Sequence, residues 1–310
     1  GARWARLNAR DAAQMVRGYY EGLNEANNLN GDLWQVMMRR PEEVPIWKTE
    51  AARTTHDYLQ WELVPNASII FRGQPYQTNR WGMRDRDYEQ KKPAGAVRVA
   101  FVGDSHTEGW GVGNGENYTD LLETALAREP LAPGHPPVEL LNFSVGGYTP
   151  FQELIVLEKK VPAFEPDQVF VVGNPEMIDR ALAHMWLSVR AGVACPYPEL
   201  ADVAARAAAA DPRSMPAAVQ ALMPDADRVL TFVYTRMAEQ CRRLGLPPVF
   251  ILLPGSTGEG ATPGLEHALG IVRGAGFTVF KRLDVYAGHD PTLLQVAEWD
   301  HHPNAQGHRR

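Results

Sequence analysis

From residue 95 onward, short apolar runs alternate with segments of helical periodicity, and this alternation constrains the fold more than any other feature. Five apolar runs predict strands, at 97–102, 138–143, 169–172, 249–253 and 277–280. Four segments between them predict helices, at 120–128, 151–161, 227–244 and 265–272. Strands that alternate with helices in this way form parallel sheets through right-handed crossovers. We therefore expect an α/β fold, a three-layer α/β/α sandwich around a parallel, doubly wound sheet.

The same pattern predicts how the chain is organised. Residues 1–94 read as an N-terminal segment that wraps the core, helical near 12–23 and extended with turns over 63–87. Residues 95–310 read as the main domain. Within that domain, about 180–224 interrupts the alternation and predicts a helical insertion or lid, since its alanine-rich part favours a helix.

Composition argues against several classes of protein. The chain has 31 Lys and Arg against 37 Asp and Glu, and a net charge of -6 argues against a nucleic-acid binder. The two cysteines, Cys195 and Cys241, allow one disulfide at most and form no CxxC zinc motif. The sequence has no run of 18 apolar residues, so it predicts no transmembrane helix. Residues 1–8 lack the hydrophobic region of a signal peptide. The compartment stays open: cytoplasmic, or extracytoplasmic with an anchor or signal removed.

Polar residues follow the predicted strands, at the sheet edge where ligands of doubly wound folds bind. Ser105 follows the first strand, the glycines of 144–147 follow the second, and Asn174 follows the third. Asp300 and His302 lie beyond the last strand. These groups supply a hydroxyl, backbone amides, a carboxamide and an Asp–His pair, which are the parts that acyl transfer through a serine requires.

Three sequence blocks resemble those of the SGNH hydrolase superfamily, the GDSL-type esterases and lipases. The similar stretches are Phe101-Val102-Gly103-Asp104-Ser105, then Asn142-Phe143-Ser144-Val145-Gly146-Gly147, and finally His302-Pro303-Asn304 with Gly307. The resemblance covers about 96–310 and implies that Ser105 is the nucleophile and His302 the general base. It also implies that the backbone N–H groups of Ser105 and Gly147 bind the oxyanion. Residues 78–85 resemble the lead-in of bacterial relatives that have an N-terminal extension.

Two positions depart from the family's pattern. The third block usually reads Gly-x-Asn-Asp, whereas this chain has Gly173-Asn174-Pro175-Glu176, so Asn174 is the candidate oxyanion donor at an altered spacing. The family's Asp-x-x-His is also absent, because Trp299 stands three residues before His302. Asp300 is then the candidate orienting acid, since a shorter Asp-x-His spacing occurs in related acyl-transferring enzymes.

Four further side chains lie near the candidate catalytic residues in sequence and could line an acyl or alcohol pocket: His106, Trp110, Tyr148 and Trp299. Each could as easily belong to the core. No cluster of metal-ligating residues appears, and the glycine-rich 109–113 lies beyond the strand-to-helix junction that nucleotide binding needs. We therefore expect neither a metal nor an organic cofactor.

The sequence thus predicts a serine hydrolase, a carboxylic ester hydrolase that cleaves an O-acyl ester of a small metabolite or carbohydrate. The same residues could serve an O-acyltransferase, in which an acceptor hydroxyl replaces water. A catalytically inactive, SGNH-like binding module is a third interpretation. The acyl group, the acceptor and the oligomeric state stay open.

Overall fold

A computed structural model of the chain describes residues 44–129, 132, 134–254 and 262–310. The helix predicted near 12–23 lies outside these residues. The strands are β1 (Ala52–Thr54), β2 (Trp61–Leu63), β3 (Ser68–Phe71), β4 (Gln74–Gln77), β5 (Val97–Val102), β6 (Val138–Asn142), β7 (Gln168–Gly173), β8 (Val249–Leu252), β9 (Thr278–Lys281), β10 (Gln295–Ala297) and β11 (Asp300–Pro303). The helices are α1 (Ser105–Glu108), α2 (Tyr118–Arg128), α3 (Pro150–Lys159), α4 (Met177–Arg190), α5 (Ala201–Ala209), α6 (Met215–Leu222), α7 (Ala226–Arg243), α8 (Pro263–Gly274) and α9 (Ala305–His308).

Five strands form the central sheet in the order β6-β5-β7-β8-β9, and every neighbouring pair is parallel. Counted along the chain this is the order 2-1-3-4-5 of a flavodoxin-like, doubly wound sheet. The predicted fold class is therefore confirmed. The strand order reverses between β5 and β7, so the crevice in which such folds bind ligands opens at the carboxyl ends of these two strands.

Alternate side chains of the sheet enter two different cores, which gives the fold its three layers. Val102 of β5 belongs to the larger core, together with buried residues of α3, α7 and α8. Its neighbour Phe101 lies in the smaller core with Leu140 and Val172, and α2 covers that core through Tyr118 and Leu126. Because successive side chains of a strand point to opposite faces, both faces of the sheet are buried.

Helices α4, α5 and α6 occupy the stretch in which the sequence predicts a helical insertion. Helix α4 begins four residues after the end of β7 and buries one face in the larger core. Three polar residues of the helix, Arg180, His184 and Ser188, are buried as well. The start of α4 thus brings Arg180 to the carboxyl edge of the sheet.

Residues 44–94 form two antiparallel hairpins, β1–β2 and β3–β4. Ile46, Leu63 and Tyr76 from this segment are buried in the larger core. Strands β10 and β11 form a separate two-stranded antiparallel sheet. Three two-stranded sheets therefore accompany the central sheet: two precede it in sequence and one follows it.

Two buried histidines should weaken the fold in acid. Burial lowers the pKa of His184 and of His308 to about 3 in the folded protein, against an ordinary value of 6.5. Below pH 6.5 the unfolded chain binds protons that the folded chain does not, so each histidine lowers the free energy of unfolding as the pH falls. The loss is about 1.4 kcal/mol per pH unit for each histidine, until the folded-state pKa is reached.

The measurement is urea unfolding of the wild type and of His184→Gln at several pH values between 7.5 and 4. Buried carboxyls such as Glu153, whose pKa burial raises, act in the opposite direction, so the informative quantity is the difference between the two proteins. We expect the wild type to lose stability relative to His184→Gln as the pH falls below about 6. A difference that does not change with pH would contradict the neutral, buried state of His184.

Candidate active site

Ser105 lies at the carboxyl end of β5, beside the switch point of the sheet. Strand β5 ends at Val102, and Asp104 caps the short helix α1, of which Ser105 is the first residue. The Asp104 Oδ1 atom accepts a hydrogen bond from the backbone N–H of His106 at 3.0 Å. This cap fixes the turn from strand to helix and therefore the place of the serine hydroxyl.

A hydrogen-bonded chain runs from this hydroxyl to a carboxylate. The Oγ atom of Ser105 lies 2.8 Å from Nε2 of His302, and Nδ1 of His302 lies 2.6 Å from Oδ1 of Asp300. All three residues are buried. The structure therefore brings together the serine, histidine and aspartate that the sequence singled out, although Ser105 and His302 lie 197 positions apart.

The short Asp-x-His spacing has a simple explanation in strand geometry. Asp300 and His302 both belong to β11, and residues two apart on a strand project from the same face. The Oδ1 atom of Asp300 also accepts a hydrogen bond from the backbone N–H of His302 at 3.2 Å. The strand thus holds the carboxylate beside the imidazole. An Asp-x-x-His spacing would instead place the two side chains together on a helical turn.

Trp110 contacts both members of this pair. Its ring stacks on His302, with centroids 5.1 Å apart and planes inclined by 24°. Its Nε1–H donates to Oδ2 of Asp300 at 2.9 Å. The sequence proposed Trp110 as a substrate contact, whereas the structure places it as a buried support of Asp300 and His302.

The candidate oxyanion donors lie at the ends of β5, β6 and β7. Gly147 adopts φ +82°, and a Cβ atom there would lie 2.6 Å from the ring of Trp47, so the turn requires glycine. Asn174 donates through Nδ2 to Oδ2 of Asp104 at 2.5 Å, and its Oδ1 accepts from the N–H of Glu176 at 2.8 Å. One of the two Nδ2 hydrogens of Asn174 is therefore used to tie it to the loop of the serine.

The other three proposed substrate contacts, His106, Tyr148 and Trp299, differ in burial and in their partners. The ring of His106 lies 5.0 Å from that of His302, and its Nδ1 is 3.5 Å from Oδ1 of Asp104. Tyr148 is buried and donates its hydroxyl to the backbone oxygen of Trp61 at 3.0 Å. Trp299 is 39% exposed, which leaves part of its ring open to a ligand.

The sequence analysis did not identify two arginines of the site, Arg180 and Arg72. Arg180 donates through Nη1 to Oδ2 of Asp104 at 2.8 Å and through Nη2 to the backbone oxygen of Tyr148, so it joins the loops after β5 and β6. A charged residue on the largely apolar, buried face of α4 was a signal that could have found it. Arg72 lies beside Asp300, and nothing in the local sequence around it indicates that contact.

The electrostatics of the site favour a neutral imidazole on His302 and ionised carboxylates on Asp300 and Asp104. Burial lowers the pKa of His302 below its usual 6.5, although the charge of Asp300 opposes this shift. Burial alone would raise the pKa of Asp300, but His302, Arg72 and Trp110 hold it well below its usual range. The pKa of Asp104 is lowered in the same way, chiefly by Arg180. At neutral pH His302 can therefore accept a proton from Ser105.

Within the described residues, no group of three or more His, Cys, Asp or Glu side chains is arranged to hold a metal ion. In the same part of the chain, no helix has the length and apolarity needed to cross a membrane.

No protein-family model and no curated protein matches the chain. Among solved structures, TesA is similar at 16% identity and a TM-score of 0.42, over 69% of this chain and 92% of that one. The acetyl xylan esterase AlAXEase is similar at 16% identity and 0.41, over 69% and 94%. AlinE4, described as an SGNH-hydrolase family esterase, is similar at 17% identity and 0.40, over 66% and 85%. At these scores the likeness carries no argument about function, which rests on the residues and contacts described above.

Proposed function

We propose that the chain is a serine hydrolase that cleaves an O-acyl ester of a small metabolite or carbohydrate through an acyl-enzyme on Ser105. The observation that carries this proposal is the hydrogen-bonded chain Ser105–His302–Asp300 at the switch point of the sheet. Serine is a weak nucleophile until a neighbouring base removes its proton, and this geometry supplies that base. The sequence resemblance to SGNH hydrolases points to the same reaction.

In the first half of the reaction, Nε2 of His302 takes the proton of the Ser105 hydroxyl while Oγ attacks the ester carbonyl carbon. The carbonyl π electrons move to its oxygen, which the N–H groups of Ser105 and Gly147 bind, with the remaining Nδ2 hydrogen of Asn174. When the intermediate collapses, the bond to the alcohol oxygen breaks and His302 gives its proton to that oxygen. The acyl group is then an ester of Ser105.

In the second half, water takes the place of the alcohol. His302 removes a proton from water, the resulting hydroxide oxygen bonds to the acyl carbon, and the bond to Oγ breaks as Oγ regains a proton from His302. Throughout, Asp300 holds Nδ1 protonated so that Nε2 is free to act as the base. Trp110 supports this arrangement through its hydrogen bond to Oδ2 of Asp300.

An O-acyltransferase is the second candidate, because an acyl-enzyme on Ser105 could pass its acyl group to an acceptor hydroxyl in place of water. Adding a sugar alcohol to an ester assay separates the two reactions, because transfer yields an acylated acceptor that mass spectrometry detects. Hydrolysis yields only the free acid.

The pH dependence of ester cleavage tests the role of His302. Only the neutral imidazole can accept the serine proton, so protonation of His302 should switch the enzyme off on the acid side. Because burial lowers the pKa of His302, we expect full activity at pH 7 and a decline whose midpoint lies below 6.5. The measurement is the initial rate of p-nitrophenyl acetate cleavage between pH 4 and pH 8.

A control separates protonation from acid unfolding: samples held at each pH and returned to pH 7 should recover their full rate. An unchanged rate down to pH 4 would contradict a histidine base. A reversible decline centred above pH 7 would contradict the neutral, buried imidazole.

A further inference from the structure

The tip of the β3–β4 hairpin places a buried charge beside the candidate catalytic carboxylate. Arg72 and Gly73 form the two-residue loop of this hairpin, and both have positive φ, +53° and +74°. Ile70, two residues earlier, is 71% exposed, as is usual near a hairpin tip. The side chain of Arg72 is instead only 1% exposed, so it points into the protein.

The guanidinium of Arg72 lies in an aromatic pocket around Asp300. Its Nε is 3.7 Å from Oδ2 of Asp300, the same oxygen that accepts the indole N–H of Trp110. Its Cζ lies 5.2 Å from the ring centroid of Trp110 and 5.1 Å from that of Trp299. Both distances suit an attraction between a cation and the face of an aromatic ring.

Two energetically unfavourable features of Arg72, its backbone conformation and its buried charge, indicate that its contact with Asp300 has a function. A side chain other than glycine is strained in the left-handed region, and a hairpin loop of this type normally uses Asn or Gly there. A buried cation is also unfavourable unless a charge compensates it, and among the described residues its ion-pair partner is Asp300. Within the hairpin the guanidinium faces the ring of Phe71, with Cζ 5.4 Å from its centroid. The opposite charge comes from Asp300, outside the hairpin.

We propose that Arg72 is a positioning residue of the candidate active site, which fixes the Asp300 carboxylate together with Trp110 so that Oδ1 faces His302. The inference rests on the proposed function, because it assigns Arg72 to the same serine mechanism. The N-terminal segment then completes the site.

Arg72 also has an electrostatic consequence for the base. Its positive charge partly offsets the carboxylate that stabilises a protonated His302. Without that charge, the imidazolium is stabilised more strongly and His302 takes up a proton at a higher pH. The acid limb is the decline of the reaction rate as the pH falls. A residue that served the fold alone would not change the pH at which this decline occurs.

The test uses the rate at which a fluorophosphonate modifies the full chain, measured from pH 4.5 to pH 8, so that no natural substrate is needed. The variants are Arg72→Met, which keeps an unbranched side chain between the two indoles, and Arg72→Lys, which keeps the charge. Arg53→Met is the matched control, since Arg53 is 62% exposed in the same segment and pairs with Glu62.

We expect Arg72→Met to react about tenfold more slowly at pH 7, with its acid limb about 0.5–1 pH unit higher than in the wild type. Arg72→Lys should restore most of the wild-type acid limb but only part of the rate, because lysine lacks the planar guanidinium. Arg53→Met should match the wild type in both.

An unchanged acid limb in Arg72→Met, whatever its rate or thermal stability, would overturn the inference. So would an Arg72→Lys limb that coincides with that of Arg72→Met. If the wild type itself is not modified, the proposed function fails. If the wild type is modified and the three variants behave alike, only the assignment of Arg72 fails.

Discussion

The Ser105→Ala variant should lose ester cleavage by about 10^5- to 10^6-fold and should form no covalent adduct with a fluorophosphonate. The hydroxyl oxygen lies 2.8 Å from the base, and alanine leaves His302 with no nucleophile to activate. The fold should survive, because the position opens a helix, where alanine is well tolerated. Intact-protein mass spectrometry measures the adduct, and circular dichroism confirms the fold.

The wild type should gain the mass of one adduct. Ser144 provides the matched control, since it is a second buried serine that follows a strand of the same sheet. Ser144→Ala should keep the adduct. An adduct that persists in Ser105→Ala, or that disappears in Ser144→Ala alone, would show that the nucleophile is a different serine.

The Asp300→Asn variant should lose about 10^4-fold in kcat while keeping its fold. The carboxylate accepts the Nδ1 hydrogen of His302, whereas an amide can donate to Nδ1 and so favour the tautomer with hydrogen on Nε2. An Nε2–H group points at the Ser105 oxygen and cannot take its proton. The measurement is steady-state cleavage of p-nitrophenyl acetate, with the melting temperature as the check on stability.

Asp290→Asn is the control for that experiment. Asp290 caps a short turn before β10 through the N–H of Thr292 at 2.9 Å, and it lies outside the hydrogen-bonded chain. Its substitution should leave kcat unchanged. A kcat for Asp300→Asn within tenfold of the wild type would mean that a different group orients His302.

The sheet could be predicted from the sequence because its signal is local. Each strand of the central sheet is a short apolar run, and the structure places every strand end within one residue of the prediction. The helix ends shift by up to two residues, since capping decides them: α2 begins at Tyr118, where Asn117 accepts from the N–H of Asp120, rather than at 120. The parallel topology of the sheet could be predicted because strands and helices alternate along the chain.

Part of the candidate site could be predicted from the order of strands and polar residues, and His302 and Asp300 from the sequence block that resembles SGNH hydrolases. Ser105 and Asn174 follow strands directly, so the sheet carries them to one edge. Arg72, at the tip of a hairpin, contacts Asp300, which lies 228 positions later in the sequence. No local sequence pattern predicts a contact between residues so far apart. The contact of Trp110 with Asp300 spans 190 positions and was invisible for the same reason.

The position of Asp300 and His302 on β11 gives the reaction a dependence on local stability. Among the residues that the structure describes, this strand pairs with β10 and not with the sheet that carries Ser105, so the candidate base and nucleophile belong to separately hydrogen-bonded units. Units of this kind open and close with their own free energies, which can lie well below that of global unfolding. Under the proposed mechanism, the rate of ester cleavage would then depend on how often the β10–β11 unit is docked. We expect mild heat or denaturant to abolish that cleavage while the central sheet stays intact.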